Sequence, residues 1–256
     1  MNKTEIKYEL NLALIALTFF TRIPVSIKVD YSAEKLNQAG RYFSLIGILI
    51  GGLCALVYFI VSYFLSEPIS LLLSMLFGIL LTGSFHEDGL ADTCDGFGGG
   101  WEATQKLKIM KDSRLGTYGA VALWFVLTLK FYLLLETPSI ILALVIAHPL
   151  SRTLSTCMIY FLPYVTNEEQ SKIKPLAEKL RSSDLVINSV IGITPLLLFS
   201  DLTLMGSVKV LLILTGLFFV LKRIYIKQIG GFTGDTLGAA QQISELVIYI
   251  LLIVFI

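Results

Sequence analysis

Asp88, Asp92 and Asp95 stand at i, i+4 and i+7 in the stretch His86-Glu87-Asp88-Gly89-Leu90-Ala91-Asp92-Thr93-Cys94-Asp95-Gly96. At about 100° per residue, that spacing puts the three carboxylates within about 60° of one helix face. Acids gathered on one stripe repel one another, and a divalent cation between them relieves the repulsion. Carboxylate oxygens suit a hard ion such as Mg2+ or Mn2+. The same three aspartates are the candidate catalytic groups, because an ion held there can act as a Lewis acid. The stretch follows an apolar run ending at Phe85, so it reads as a helix leaving a membrane.

Three further motifs share this chemistry. Gly96-Phe97-Gly98-Gly99-Gly100 continues the acidic stretch. Gly98 and Gly99 are candidate substrate-binding positions whose backbone N–H groups approach a ligand closely, the alternative being a flexible loop. In Lys108-Ile109-Met110-Lys111-Asp112-Ser113-Arg114-Leu115-Gly116-Thr117-Tyr118-Gly119, Asp112 is a candidate metal ligand. Lys111 and Arg114 there are candidate phosphate-oxygen ligands, against the plainer reading of flanking positive charge. Gly230-Gly231-Phe232-Thr233-Gly234-Asp235-Thr236 offers Asp235 as a metal ligand or base. Arg22, in Thr21-Arg22-Ile23-Pro24, either snorkels to an interface or meets an anionic substrate. Arg152 lies inside an apolar run close to His148, and an ionisable residue at that depth usually faces the bundle interior, so Arg152 is assigned to a polar, substrate-binding site. His148 reads as a satisfied interior histidine, and Lys130 as a structural partner or a snorkelling residue.

The elements that position these residues are apolar helices. The chain has 256 residues, is 55% hydrophobic and only 15% charged, which points to a polytopic membrane protein of all-α class. The net charge of +1 argues against a nucleic-acid partner. The cysteines, Cys54, Cys94 and Cys157, match no zinc or redox spacing, and Cys94 lacks an evident activating base. About seven spans are expected: Tyr42–Leu65, Ile69–Phe85, Thr117–Leu135, Ile140–Leu162, Leu185–Phe199, Val208–Leu221 and Ile243–Ile256. Several fall short of the roughly 20 residues a bilayer requires, so their ends must extend into polar flanks or the bilayer must thin locally. Leu10–Phe20 is shorter still and reads as a re-entrant or interfacial helix, or as a span completed by residues 21–27.

The connections alternate. Ser66-Glu67-Pro68, Glu136-Thr137-Pro138 and the turn around Ser200–Met205 carry no Lys or Arg. The others carry Lys28, Lys35 and Arg41; Lys106, Lys108, Lys111 and Arg114; Lys172, Lys174, Lys179 and Arg181; and Lys222, Arg223 and Lys227. The positive-inside rule places this second set, and all four motifs, on the cytoplasmic side of an inner membrane. The whole chain, 1–256, reads as a single membrane-embedded domain, compatible with a homo-oligomer.

Phe19-Phe20-Thr21-Arg22-Ile23-Pro24, His86–Gly100, Met110–Gly119 and Gly230–Ala239, in this order and spacing, resemble the cobalamin synthase family, adenosylcobinamide-GDP ribazoletransferases. The resemblance covers nearly the whole chain. It implies that a hydroxyl of α-ribazole, or of its 5′-phosphate, attacks the phosphate attached to cobinamide in adenosylcobinamide-GDP. GMP then leaves and adenosylcobalamin, or its 5′-phosphate, forms, with Mg2+ as the expected cofactor. A general base is required, either an aspartate or His86. Asp92-x-x-Asp95-Gly96 also looks like the opening of the CDP-alcohol phosphotransferase signature, but the match stops after a few residues. That leaves two other readings: a CDP-alcohol-type phosphotransferase of lipid synthesis, and a cation transporter. Against the transporter, the acids are expected at the boundary and none at mid-depth.

Overall fold

The structure, a computed structural model, describes residues 3–26, 29–165, 178–199 and 203–256. Lys28, Lys172, Lys174 and residues 200–202 of the expected turn lie outside the described residues. The helices are α1 (Lys3–Phe20), α2 (Ala33–Ala39), α3 (Phe43–Val61), α4 (Glu67–Thr82), α5 (Phe85–Gly99), α6 (Ala103–Met110), α7 (Thr117–Glu136), α8 (Ile140–Phe161), α9 (Ser182–Phe199), α10 (Leu204–Ile229) and α11 (Gly234–Phe255). A 3-10 turn, Gly40–Tyr42, joins α2 to α3. Among the described residues the only β-type pairing outside named strands is one parallel bridge between Tyr164 and Phe232. The all-α, multi-span reading of the sequence is met.

The count of spans differs in detail. Ala33–Val61, α7, α8, α10 and α11 are long and apolar enough to cross a membrane, and α4 with α5 makes a sixth if the bent pair is one broken span. The segment expected to span at 185–199 is the shorter apolar helix α9. The last two expected spans grow at their polar ends into Leu204–Ile229 and Gly234–Phe255. Local sequence explains the ends. Thr233 and Thr236 form a reciprocal capping box that starts α11, and Thr203 accepts from the Gly206 amide to start α10. Gly230 ends α10 in the left-handed region, φ 83°.

Helix α8 sits at the centre, packed against α3, α9 and α11. Its closest neighbour is α3, whose Gly47-x-x-x-Gly51 face meets the α8 backbone. A Cβ on Gly47 would lie 2.7 Å from the His148 carbonyl oxygen, and one on Gly51 would lie 2.5 Å from that of Leu144. Backbone cannot retreat as a side-chain tip can. Gly47→Val is therefore expected to lower stability by about 1–3 kcal/mol or more, read as a lower Tm in detergent. An unchanged Tm would show that the two helices separate freely.

The feature that positions the site is the break between α4 and α5. The two helices meet at 84°. Gly83 (φ 68°) and Ser84 (φ 60°) both adopt the left-handed region, and Ser84 is the one non-glycine with positive φ among the described residues. The apolar run ending at Phe85 therefore does not continue into the acidic stretch as one helix. It turns, and α5 lies across the end of the bundle, packed on α11, α7 and α6.

Candidate functional site

The three aspartates do lie on one helix, yet their surroundings separate them. Asp88 is exposed, Asp92 is half-buried, and Asp95 is only 7% exposed. Helix α5 crosses the first turn of α11 at Gly89, where a Cβ would stand 2.8 Å from the Asp235 carbonyl oxygen. This backbone-to-backbone approach brings Asp235, from the third motif, beside Asp88 and Asp92. Their mutual repulsion is visible in the proton affinity of Asp92, whose pKa is raised to about 7. Burial is the largest cause, followed by the negative fields of Asp235, Asp88 and Asp95. Lys111, at the end of α6, is the cation whose field reaches Asp235.

Asp95 has a different setting. One of its carboxylate oxygens accepts from the Gly116 amide at 2.7 Å and the other from the Gly119 amide at 2.9 Å. It caps the N-terminus of α7, where a negative charge is favoured by both the unpaired amides and the helix dipole. The Leu115–Gly119 part of the second motif is explained by this contact.

Asp112 and Arg114 are held by each other. The Arg114 guanidinium donates to both Asp112 oxygens, with Nη2 to Oδ2 at 2.6 Å, and the Arg114 side chain is 87% exposed. The hydrogen bonds from Arg114 pull the Asp112 pKa below the usual carboxylate range. The structure therefore leaves this pair apart from the Asp88–Asp92–Asp235 group. Gly98 and Gly99 lie in the last turn of α5 with helical backbone rather than in an open loop. Gly98 provides clearance for the Tyr118 ring, which a Cβ would approach to 2.6 Å. Arg22 is exposed at the other end of α5. Its amide donates to the Leu81 carbonyl at 2.8 Å, and its guanidinium lies across Gly83, 2.1 Å from where a Cβ would stand. Cys94 is half-buried, and burial followed by Asp95 pushes its thiol up, away from the thiolate a nucleophile needs.

On its inner side α5 faces a buried polar network. Glu245 of α11 is 0% exposed and accepts from Lys130 Nζ at 2.5 Å, with His148 Nδ1 at 2.8 Å from its other oxygen. Arg152 is 2% exposed and donates to the His148 carbonyl at 2.9 Å. Gln242 donates to Glu87 at 3.0 Å, and Gln241 to Ser151 at 3.2 Å. A cavity of about 30 Å³, large enough for water, is lined by His86, Glu87, Lys130, His148, Arg152 and both glutamines, among others. A second, of about 20 Å³, lies between Arg152, His86 and the rings of Phe20, Phe43 and Phe85. Arg152 thus faces the bundle interior as expected from its depth, and Lys130 is a structural partner. The expectation of no acid at mid-depth fails at Glu245. Gln241, Gln242 and Glu245 form a polar cluster in an otherwise apolar last helix, and that was the available signal.

Among the described residues no three His, Cys, Asp or Glu side chains stand close enough to hold a metal ion by themselves. The donor chemistry nevertheless fits a hard cation: Asp88, Asp92 and Asp235 bring oxygens from two helices and share a negative field. Mg2+ is commonly bound by one or two carboxylates completed by water and substrate phosphates, rather than by a closed protein cage.

Comparison with known proteins bears on the same residues. The cobalamin-5-phosphate synthase family model matches residues 12–253. The chain belongs to this family. A relative from Shewanella pealeana, an adenosylcobinamide-GDP ribazoletransferase, is 49% identical over 251 residues, covering 96% of each chain. One of the same name from Vibrio cholerae is 46% identical over 253 residues, covering 98% of this chain and 96% of its own. No solved structure matches. The match to the cobalamin-5-phosphate synthase model takes in α5, the α6–α7 connection and the start of α11, so the elements that form the site all lie within it.

One consequence follows from Asp92 alone. Its folded-state pKa of about 7 lies above the ordinary value of 3.8, so between those values the folded chain binds a proton that the unfolded chain has released. Stability then falls as pH rises through this window and levels off above it. In chelator-treated protein the Tm advantage of Asp92→Asn over the wild type should grow from pH 5 to pH 7. Parallel Tm curves for the two proteins would show that the Asp92 carboxylate is unstrained.

Proposed function

We propose that this protein is an adenosylcobinamide-GDP ribazoletransferase, which joins the cobinamide phosphate of adenosylcobinamide-GDP to α-ribazole, or its 5′-phosphate, and releases GMP. The product is adenosylcobalamin or its 5′-phosphate. The observation that carries the reading is the near full-length family match together with a carboxylate group built from α5 and the first turn of α11, both inside the matched residues.

In this reading Asp92 takes the proton from the ribazole hydroxyl. Asp92 is half-buried beside Asp88 and Asp235, so its carboxylate stands within reach of a hydroxyl brought to an ion held by that pair. Asp88 and Asp235 are the residues that would hold Mg2+, with Asp92 at their side. Bound there, Mg2+ would supply Lewis-acid polarisation of the diphosphate and neutralise charge on the departing GMP. Arg22, exposed beside Gly83, and Lys111, at the end of α6, would supply positive charge to diphosphate oxygens, Arg by its planar fork and Lys as a point charge. Asp95 orients α7 against α5 and so holds the stripe in register. Arg152 belongs to the interior wall behind the site.

The basic connections share the end of the bundle that carries α5. Lys106, Lys108, Lys111 and Arg114 lie between α5 and α7, while the connection between α7 and α8 has no basic residue. This supports a site facing the cytoplasm from the inner membrane. The test is release of GMP from adenosylcobinamide-GDP by purified protein supplied with α-ribazole, with and without chelator, set beside release of CMP from CDP-diacylglycerol supplied with an alcohol acceptor such as glycerol 3-phosphate. GMP release that stops on chelation is expected, with no CMP. Turnover insensitive to chelator would remove the metal from the scheme, and CMP release would favour the lipid phosphotransferase.

A further inference from the structure

The end of α10 presents Lys222, Arg223 and Lys227, and none of them lines the site just described. Among the described residues none of the three forms an ion pair with a carboxylate. Lys222 is turned over two rings instead, its Nζ 5.5 Å from the centroid of Phe161 and 6.0 Å from that of Phe218. It stands at the mouth of a groove of about 450 Å³ between α8, α9 and α10, with walls that include Leu154, Ile193, Leu214 and Phe218. Past Lys222 a shallower groove of about 470 Å³ runs on between Phe219, Arg223, Ile226 and Lys227.

The dimensions identify the occupant. The apolar groove runs from Leu211 to Lys222 on α10 and from Leu150 to Phe161 on α8. At about 1.5 Å per residue each stretch rises about 16 Å. That is close to half of the roughly 30 Å hydrocarbon thickness of a bilayer, the depth of one leaflet. A spanning helix from a second copy would need an apolar track about twice as long. The cations all gather at one end of the groove, where a lipid headgroup of that leaflet would lie. We propose that this groove seats one anionic phospholipid, an acyl chain lying along α8 and α10 and the phosphate held by Lys222, Arg223 and Lys227. A zwitterionic lipid brings its own cation against the cluster and is disfavoured.

The test is native mass spectrometry of the full chain in detergent, offered equal amounts of phosphatidylglycerol and phosphatidylcholine. The wild type should retain phosphatidylglycerol preferentially. At about fivefold per basic residue, the combined substitutions Lys222→Gln, Arg223→Gln and Lys227→Gln should weaken its retention about 100-fold and leave phosphatidylcholine unchanged. Thr215 lies on the groove wall and is exposed, so Thr215→Trp fills the groove with every cation in place. It should weaken phosphatidylglycerol retention about tenfold, which separates a seated lipid from attraction to a basic surface. Equal retention of the two lipids by the wild type, or no effect of either variant, would overturn the proposal. So would a dimer that Thr215→Trp converts to monomer, since the groove would then be covered by a second copy.

Discussion

Asp92→Asn is expected to lower kcat/KM for GMP release by about 10²–10³-fold while the protein remains folded and inserted, with a Tm equal to or above that of the wild type at pH 8. The two halves of that result have one origin. Asp92 is half-buried beside Asp88 and Asp235, with its pKa raised to about 7, so its ionised form is the strained one in the folded chain. Asparagine keeps the shape and removes the charge, which relieves repulsion but removes the proton acceptor and one metal-seeking oxygen. Asp95→Asn should behave in the opposite way. Its two oxygens accept from the Gly116 and Gly119 amides, and an asparagine can offer an acceptor to only one of them. A buried amide left facing an NH2 group costs about 1–3 kcal/mol, so this variant should lose Tm, with activity declining as α7 loosens. A Tm loss in Asp92→Asn, or wild-type Tm in Asp95→Asn, would reverse the roles given to the two residues.

Lys130→Met and Glu245→Gln should each destabilise the protein by about 3–5 kcal/mol, because each leaves a charge buried without its partner. Glu245 is inaccessible to solvent, held between Lys130 of α7 and His148 of α8. The double variant replaces the ion pair by groups without charge and should cost less than the sum of the single losses by about 2–3 kcal/mol. Turnover should follow stability in this series, because Glu245 lies on α11, the helix that carries Asp235 at its first turn. Losses that simply add would show that the pair is not coupled and that Lys130 reaches the interface instead. A double variant that recovers its Tm but not its turnover would place Glu245 closer to the chemistry than a purely structural role allows.

The parts of the site legible in the sequence were those set by local periodicity. The i, i+4, i+7 spacing put Asp88, Asp92 and Asp95 on one helix, and the position of Arg152 inside an apolar run marked it as an interior residue. What could not be read was how neighbouring helices divide that stripe. Asp92 and Asp95 lie three residues apart in one acidic stretch, and their immediate neighbours in sequence do not set their roles. Only the approach of the α7 amides to Asp95, and of Asp235 to Asp92, makes Asp95 a cap and Asp92 a strained acid. The break at Gly83-Ser84 was hidden for a similar reason. Nothing in the apolar run through Phe85 requires a serine to take positive φ, a conformation that the surrounding contacts have to impose. The Asp112–Arg114 pairing spans only two residues and is a local feature of the sequence. Glu245 stands two residues into the last apolar run, where hydropathy averages conceal a single acid.

Electrical insulation is a consequence of the pairing inside the bundle. Lys130 is locked against Glu245, and Arg152 and Glu87 stand with Lys130 around the small cavity beside that pair. A membrane potential does work only on charge that moves through it, about 2.3 kcal/mol per charge carried across 100 mV, and side chains locked to their partners carry none across. Energised and de-energised vesicles should therefore give the same rate from the same enzyme, so that the cell's changing voltage does not reach the chemistry at the end of the helices.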